Sequence, residues 1–274
     1  MFETEKALAS SWFKSLRDEI VSAFKKIEID HSSGPFSDKA PGVFEVKETE
    51  RTADDGSNAG GGIMSVMRNG RVFEKVGVNV STVYGDLGPE AQRAMAARKD
   101  IPGIKEDPRF WASGISLVAH MQNPRCPAVH MNTRMFWTPH AWWFGGGSDL
   151  NPCLEFEEDT AHFHETLEKF VEPHGAGLYS DLKSWADEYF FIPHRNRARG
   201  VGGIFMDDRC TGHWEADFNL TKDIGKAFLP AYLPLIEKRK NDIFSDFDKE
   251  KQLVHRGLYA EYNLVYDRGT KFGL

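Results

Sequence analysis

The sequence predicts a single α+β domain spanning residues 1–274, and three observations support that fold class. At the start of the chain, apolar residues recur three or four positions apart among charged ones, as in an amphipathic helix, at Leu8, Trp12, Leu16, Ile20, Phe24 and Ile27. Several short apolar runs with strand character follow. No internal repeat or obvious linker divides the chain, so one core should hold both kinds of element.

Composition and charge narrow the class of protein. Of the 274 residues, 41% are hydrophobic and 27% charged, as in an ordinary globular protein. The net charge of −7 disfavours nucleic acid and anionic lipid as partners, so an anionic substrate would need a local cluster of Arg and Lys. The three cysteines form no C-x-x-C pair, and no segment resembles a signal peptide or a membrane span. We therefore expect a cytoplasmic protein without integral membrane association.

Strand, turn and helix signals give the element order. Residues 43–46, 63–67 and 72–83 are predicted strands, and Asn69-Gly70 predicts a hairpin between the last two. Residues 54–62 are a predicted glycine-rich loop, which could hold an anion or only supply flexibility. Further along, helices are predicted over 89–99, 155–175, 180–189 and 221–240, and strands over 115–121, 129–137, 201–206 and 258–266.

Two of these strands carry a polar face. Because side chains alternate along a strand, His130, Asn132 and Arg134 project to one side of their strand. Ser116 and His120 do the same in the neighbouring strand, and an antiparallel pairing would join the two faces. Each residue alone is also typical of an ordinary half-exposed strand. Together they supply directional hydrogen bonds, and Arg134 can hold a carboxylate.

A glycine-rich segment follows, in which an aromatic strand runs into Gly145, Gly146 and Gly147. Three consecutive glycines predict either a tight turn or a close approach of the backbone to a ligand. Asp149 comes just after them and should lie beside the aromatic residues 142–144, near a partly apolar pocket. There its carboxylate could accept a hydrogen bond or a proton from a ring N–H group.

Histidines and arginines supply two further candidate clusters. His162 and His164 share a predicted helix, but their rings point about 200° apart, so at most one would join a metal site and a structural role is the alternative. The segment 194–199 holds three arginines in five residues. It is either a solvated basic loop or the positive cluster that a substrate with several carboxylates would need.

Five long, ordered motifs carry a family resemblance that spans most of the chain: VHMNTRMFW, WWFGGGSDLNP, FHETL, KSWADEYFFIPHRNRARGVGGIFMDD and AEYNLVYDRGTKFGL. They closely resemble the oxygen-dependent coproporphyrinogen III oxidase family. The resemblance implies a large, flat antiparallel β-sheet covered by α-helices on both faces, assembled as a homodimer. It also implies oxidative decarboxylation of the ring A and B propionates of coproporphyrinogen III to vinyl groups, giving protoporphyrinogen IX, with carbon dioxide and hydrogen peroxide released.

The resemblance also implies roles for single residues. His130 matches the family's proposed proton donor, and Asp149 matches the carboxylate implicated in catalysis. We expect Asp149 to accept or orient the pyrrole protons of this tetrapyrrole substrate, and Arg134 to anchor a propionate. The implied substrate contacts are Ser116, Asn132, Thr133 and Arg134.

The expected cofactor chemistry follows from the same resemblance. Molecular oxygen is the co-substrate, no organic cofactor is expected, and a divalent metal is not expected to be required. Four histidines nevertheless match positions discussed as metal ligands in bacterial members: His120, His130, His164 and His194.

The chain departs from the family's pattern at four positions. Ala186 stands where Cys is common, Met206 where Phe is common and Asn151 where Thr is common. Arg197 replaces a common Glu, so it reverses a charge inside the arginine-rich loop. The family usually continues beyond the residue that matches Leu274, so we expect this chain to lack the usual C-terminal end.

Two rival functions remain. The histidines could instead build a metal-dependent hydrolase or oxygenase, which elemental analysis and a chelator would distinguish. The pocket could also belong to a non-catalytic tetrapyrrole carrier, which would bind the porphyrinogen without consuming oxygen.

Overall fold

The computed structural model describes residues 2–96 and 101–267. Helix α1 (Glu3–Asp30) forms where the apolar spacing predicts it and buries Phe13, Ile20 and Phe24. Near its end, the fully buried carboxylate of Glu28 accepts hydrogen bonds from four backbone N–H groups, those of Gly42, Arg71, Val72 and Phe73. A buried charge needs such partners, so Glu28 fixes the helix to the turn that enters the sheet.

The sheet has seven strands in the order in which they occur along the chain, each antiparallel to the next. They are β1 (Phe44–Thr52), β2 (Asn58–Arg68), β3 (Phe73–Asp86), β4 (Arg109–Met121), β5 (Ala128–Thr138), β6 (Ala141–Asn151) and β9 (Gly203–Arg209). The hairpin predicted at Asn69-Gly70 is confirmed between β2 and β3, where Asn69 adopts a φ of 56°. Two short strands, β7 (Phe191–Ile192) and β8 (Arg197–Ala198), form a separate hairpin.

The described residues contain five further α-helices, namely α2 (Pro89–Ala96), α3 (Glu157–Val171), α4 (Leu178–Tyr189), α5 (Trp214–Arg239) and α6 (Asp246–Val265). The helix predicted over 89–99 is confirmed as far as Ala96, and residues 97–99 lie outside the described part of the chain. Helix α5 begins earlier than predicted, at Trp214. None of the described helices is long and apolar enough to cross a membrane.

Two predictions of local structure are wrong, and one open alternative is decided. Residues 58–62 of the predicted loop belong to β2. Of the two interpretations of the triple glycine, the tight turn does not form, because these residues lie inside β6 and pair with both neighbouring strands. The strand predicted over 258–266 is the second half of α6, which starts with a Ser245–Asp248 capping box and buries Tyr259 and Tyr262 three positions apart.

The helices lie on both faces of the sheet, as expected. Helices α1, α3 and α5 cover one face, where Leu117 and Met131 of the central strands join the main hydrophobic core with Phe228 of α5. On the other face, α4 and α6 pack near the β9 edge through a smaller cluster that includes Phe205 and Tyr262. On the rest of that face many side chains of the central strands are exposed or half-buried, among them Asn79, Ser116 and Asn132. We call this region the open face.

Candidate active site

The predicted polar surface forms on the open face. Strands β4 and β5 pair so that Ser116 lies opposite Asn132, while Val118 lies opposite His130. Residues directly opposite each other point to the same side of a sheet, so the polar residues of both strands share one face. Ser116 is exposed, and His130, Asn132 and Arg134 are half-buried. The alternation predicted from the sequence therefore produces this polar surface.

Strand β6 extends the surface, because Asp149 lies opposite His130 and Gly145 lies opposite Arg134. A side chain at Gly145 would clash with its neighbours: its Cβ atom would lie 2.9 Å from Nη2 of Arg134 and 3.0 Å from Oδ1 of Asp207. Glycine at this position therefore lets the guanidinium group lie against the strand. One interpretation of the glycines was a close approach of the backbone to a ligand. In the structure, the group that lies against Gly145 is the side chain of Arg134.

A continuous line of hydrogen bonds crosses the open face. His130 Nδ1 lies 2.9 Å from Asp149 Oδ1, and His130 Nε2 lies 3.1 Å from Asn132 Nδ2. Arg134 Nη1 donates to Asn132 Oδ1 at 3.0 Å. Arg134 Nη2 donates to Asp207 Oδ1 at 2.6 Å. These residues form the polar chain Asp149–His130–Asn132–Arg134–Asp207, and local alternation alone did not reveal its last member.

Asp149 is buried at one end of the polar chain, with 1% of its surface exposed. Its Oδ2 atom accepts hydrogen bonds from Asn151 Nδ2 at 2.8 Å and from Arg199 Nη2 at 2.6 Å. Burial by itself would raise the pKa of Asp149, but the charge of Arg199 and the contact with His130 outweigh it and lower the pKa to about 2. Asp149 is therefore an anion that already has protein partners.

Arg199 is the member of this site that the sequence did not single out. It belongs to the arginine-rich loop, yet it is 3% exposed and its guanidinium lies within 4.7 Å of the ring centres of Phe190, Tyr259 and Tyr262. Its Nη1 atom donates to Asn263. The aromatic neighbours of the Asp149 region come from α4 and α6, through contacts between residues far apart in the sequence.

The arginine-rich loop does not present a cluster of free arginines, contrary to one of its two interpretations. Arg199 pairs with Asp149, and Arg195 pairs with Glu261 of α6 at 3.0 Å. Arg197 is exposed in β8. The aromatic residues expected beside Asp149 also lie elsewhere, since Trp143 stacks on Phe136 in a separate cluster.

The remaining substrate candidate, Thr133, lies on the other side of its strand. Its side chain points toward the helix-covered face and is 0% exposed. It therefore does not join the polar surface that contains Asn132 and Arg134.

The four histidines with matches to metal positions each make different contacts in the fold. His130 contacts Asp149, while His164 contacts Tyr179 Oη at 2.7 Å and the Val201 carbonyl at 3.0 Å. Both ring nitrogens of His164 thus have protein partners, as expected if this histidine has a structural role and does not bind a metal. Among the described residues, no group of three or more His, Cys, Asp or Glu side chains is arranged to hold a metal ion.

His120 and His194 contact different residues of α6 and its C-terminal end. The ring of His120 packs edge-on against Tyr259 at 5.5 Å, and burial, followed by the charge of Arg256, lowers its pKa to about 4. His194 lies in the β7–β8 loop, where it contacts Tyr266 Oη at 2.6 Å and Glu261 Oε1 at 2.9 Å.

Two of the four departures from the family's pattern lie close to the site. Asn151 holds Asp149 through the bond described above. Ala186 lines a cavity of about 300 Å³ beside Asp149, together with Phe190, Ala198 and Val201. Met206 is buried in the main core on the opposite face of β9.

An anionic aspartate paired with a histidine, beside a half-exposed arginine on an open sheet face, is the arrangement of an enzyme that handles a carboxylate substrate. The family model described as coproporphyrinogen III oxidase matches residues 9–274. The chain belongs to the coproporphyrinogen III oxidase family.

Close relatives agree with this assignment. The oxygen-dependent coproporphyrinogen-III oxidase of Rickettsia bellii (strain RML369-C) is 45% identical over 274 residues, which cover 100% of this chain and 93% of the relative. The oxygen-dependent coproporphyrinogen-III oxidase of Rickettsia akari (strain Hartford) is 44% identical over 269 residues, covering 98% of this chain and 91% of the relative.

Proposed function

We propose that this chain catalyses the oxygen-dependent oxidative decarboxylation of coproporphyrinogen III to protoporphyrinogen IX. Family membership and the names of the relatives support the reaction. The observation that carries the proposal is the polar chain, which joins a half-exposed arginine to a histidine and a buried aspartate. A carboxylate binder and a proton carrier thus lie on one surface, which decarboxylation of a propionate needs.

Arg134 is the proposed anchor for a propionate. Its side chain is 38% exposed, and two of its five N–H groups are used by Asn132 and Asp207. A carboxylate that arrives from the open side of the sheet can use the remaining N–H groups and can compete with Asn132 for Nη1. Exposed Ser116 and half-buried Asn132 on the same face are the proposed neighbouring contacts for the tetrapyrrole.

His130 is the proposed proton carrier. Asp149 is an anion and can only accept, so His130 carries a proton on Nδ1, and the single-proton form of the ring keeps a lone pair on Nε2. For each propionate, –CH₂–CH₂–COO⁻ with O₂ and one proton gives –CH=CH₂, CO₂ and H₂O₂. Oxygen takes up the two electrons that the substrate loses. Nε2 can accept the proton lost from the CH₂ group next to the one that carries the carboxylate, and can then return it.

The proposed role of Asp149 is not the direct binding of pyrrole N–H groups. Its carboxylate is buried and accepts hydrogen bonds from Asn151, Arg199 and His130. We therefore propose that Asp149 acts through His130, by fixing the orientation and tautomer of the ring.

Incubation with coproporphyrinogen III in air tests the function, with protoporphyrin fluorescence measured after oxidation of the product. We expect product to form in air and not under argon. Tight binding without oxygen consumption would instead support a tetrapyrrole carrier.

Molecular oxygen is the proposed co-substrate, without an organic cofactor or a required metal. The separation of His120, His130, His164 and His194 into different environments supports this proposal. Turnover that survives chelation, in protein shown by elemental analysis to be metal-free, is the expected result. Activity that disappears on chelation and returns with a divalent metal would support the metal-dependent alternative.

A cytoplasmic homodimer is the proposed form of the enzyme. Helix α6 supports it with apolar side chains that are exposed among the described residues, of which Leu253 is 57% exposed and Leu264 is 65% exposed. Apolar side chains at this spacing are typical of helix contacts between subunits. Sedimentation velocity should give a dimer for the wild type and a smaller species for Leu253→Asp with Leu264→Asp. A wild-type monomer would contradict the proposal.

A further inference from the structure

The direction of every hydrogen bond in the polar chain follows from Arg134. Its guanidinium can donate but never accept, so the Asn132 amide must turn its oxygen toward Arg134. The amide NH₂ group then faces His130 Nε2, which must accept. At the far side of the ring, His130 Nδ1 must donate to Asp149. These requirements agree with one another along the whole chain.

Arg134 has one fixed partner and one replaceable partner. Asp207 is the fixed partner, because its side chain is 5% exposed and charged, and it bonds to Nη2 at 2.6 Å. Asn132 is the replaceable one, because it is neutral, half-buried and bonded to Nη1 at 3.0 Å. Gly145 beneath the guanidinium leaves room for the group to lie against the strand, within reach of both partners.

An incoming carboxylate competes unequally with these two partners. A hydrogen bond from a guanidinium to an ionised oxygen is roughly twice as strong as one to a neutral oxygen. A propionate can therefore take the Nη1 donor from the Asn132 amide more readily than it can separate Arg134 from Asp207. Asn132 then loses the contact that fixes the orientation of its amide.

We propose that Asn132 is a positioning residue that couples carboxylate binding at Arg134 to the exposure of Nε2 of His130. In the free enzyme, the amide NH₂ group covers Nε2. Once a propionate occupies Arg134, the amide is free to rotate and Nε2 faces the substrate. Asp207 is a second positioning residue, because it keeps Arg134 within reach of Asn132. This inference rests on the proposed function, since it assigns the propionate to Arg134.

The ¹⁵N resonance of His130 Nε2 tests the coupling directly, because it moves downfield when the nitrogen stops accepting a hydrogen bond. The probe is coproporphyrin III, the oxidised and unreactive tetracarboxylate, added to full-length protein with ¹⁵N-labelled histidine. His130→Gln identifies the resonance by its loss. We expect a downfield shift in the wild type on saturation, toward the position found in ligand-free Asn132→Ala.

Asn132→Ala supplies the decisive comparison, because it has no amide to move. In this variant the same ligand should produce only the small shift caused by the porphyrin ring current, which the wild type shares. Asn132→Leu is a second variant of similar volume, in case the alanine variant does not fold. Asn79→Ala is the matched control, since Asn79 lies on β3 opposite Ser116 and outside the polar chain. It should shift as the wild type does.

Two results would overturn the inference: equal shifts in the wild type and Asn132→Ala, or a ligand-free Asn132→Ala resonance identical to that of the wild type. Porphyrin fluorescence titration and the turnover assay are run on the same samples. A wild type that binds and turns over without the shift contradicts the coupling alone. A wild type that neither binds nor turns over contradicts the proposed function.

Discussion

The two ends of the polar chain are both ion pairs, yet they differ in burial. At one end, the side chains of Asp149 and Arg199 are each 2% exposed. At the other end, Asp207 is 5% exposed and its partner Arg134 is 38% exposed. The first pair is closed to solvent on both sides, while the second presents its cation to the open face.

This difference in burial assigns two tasks to different ends of the polar chain, namely orienting His130 and binding the substrate. The sequence alone did not distinguish the residues that perform them. A fully buried pair has no donor or acceptor to offer a ligand, and removing one partner leaves an uncompensated charge. Such a pair can orient a neighbouring group, here His130. A half-exposed arginine with a fixed counter-charge can exchange its weaker partner for a ligand. The buried end should therefore control turnover and stability, and the open end should control substrate binding.

Asp149→Asn should have the largest effect. The amide keeps the shape of the carboxylate but can present an N–H group to His130, so the Nδ1–H tautomer is no longer fixed. We expect kcat to fall about 100- to 10,000-fold, the range typical of a lost acid–base group, while KM changes little. Steady-state kinetics on folded protein checks both values.

Asp207→Asn is the matched control at the open end. It retains an oxygen for Arg134 but loses the charge, and a neutral hydrogen bond is about 1 kcal/mol weaker than a charged one, so KM should rise roughly fivefold while kcat falls far less than in Asp149→Asn. A large rise in KM for Asp149→Asn, with kcat unchanged, would mean that Asp149 contacts the substrate.

Arg199→Met should cause the next largest effect, on stability. It leaves Asp149 buried without its cation, which costs about 3–5 kcal/mol for pairs of this kind. Urea denaturation followed by circular dichroism measures the change in the free energy of unfolding. Arg195→Met removes the exposed pair with Glu261, which solvent screens, so it should destabilise the protein much less than Arg199→Met does. Equal losses in the two variants would show that burial does not distinguish these pairs.

The parts of this comparison that the sequence predicted depend on local rules. Alternation along β4 and β5 put Ser116, His130, Asn132 and Arg134 on one face, since side chains in a strand must alternate. The turn at Asn69-Gly70 was equally predictable from its residue types.

The wrong predictions arose where a local pattern fits two structures. Leucine, tyrosine and valine in the segment 258–266 suit a strand, but Tyr259 and Tyr262 also have helical spacing, and the capping box at Ser245 lies well before the window considered. Consecutive glycines suit a turn or a crowded strand. Only the position of Arg134 over Gly145 decides between these.

The sequence did not predict the ion-pair partners at the two ends of the polar chain, Arg199 and Asp207, because each is distant in the sequence from the residue it contacts. Arg199 lies 50 residues from Asp149, and Asp207 lies 73 residues from Arg134. An arginine-rich loop normally indicates exposure, and nothing local shows that one arginine turns inward. The strand order, which brings β9 beside β6, creates the contact between Arg134 and Asp207.

Arg134→Lys tests the open end with a smaller expected effect. Lysine keeps the positive charge but cannot hold Asp207 and a carboxylate with separate N–H groups in one plane. Loss of one charged hydrogen bond to substrate, about 1.5–3 kcal/mol, should raise KM about 10- to 100-fold. Titration of the variant with coproporphyrin III should show the same loss of affinity. Unchanged affinity would remove Arg134 from the binding site.

Acid stability tests the buried end with the smallest expected effect. The pKa of Asp149 is lowered from 3.8 to about 2 by Arg199 and His130, against the opposing effect of burial. A carboxylate with a lowered pKa stabilises the fold above its unfolded pKa, and this contribution is lost as the pH falls through the folded pKa. Asp149 should therefore contribute about 2 kcal/mol above pH 4, which disappears toward pH 2.

Urea denaturation of the wild type and Asp149→Asn at pH 7, 4 and 2 measures this contribution. The difference in the free energy of unfolding should be constant from pH 7 to about pH 4 and should then shrink, because the protonated aspartic acid and the amide are both neutral. A difference that stays constant down to pH 2 would mean that the charge of Asp149 does not stabilise the fold. In that case the Asp149–Arg199 pair would serve orientation alone.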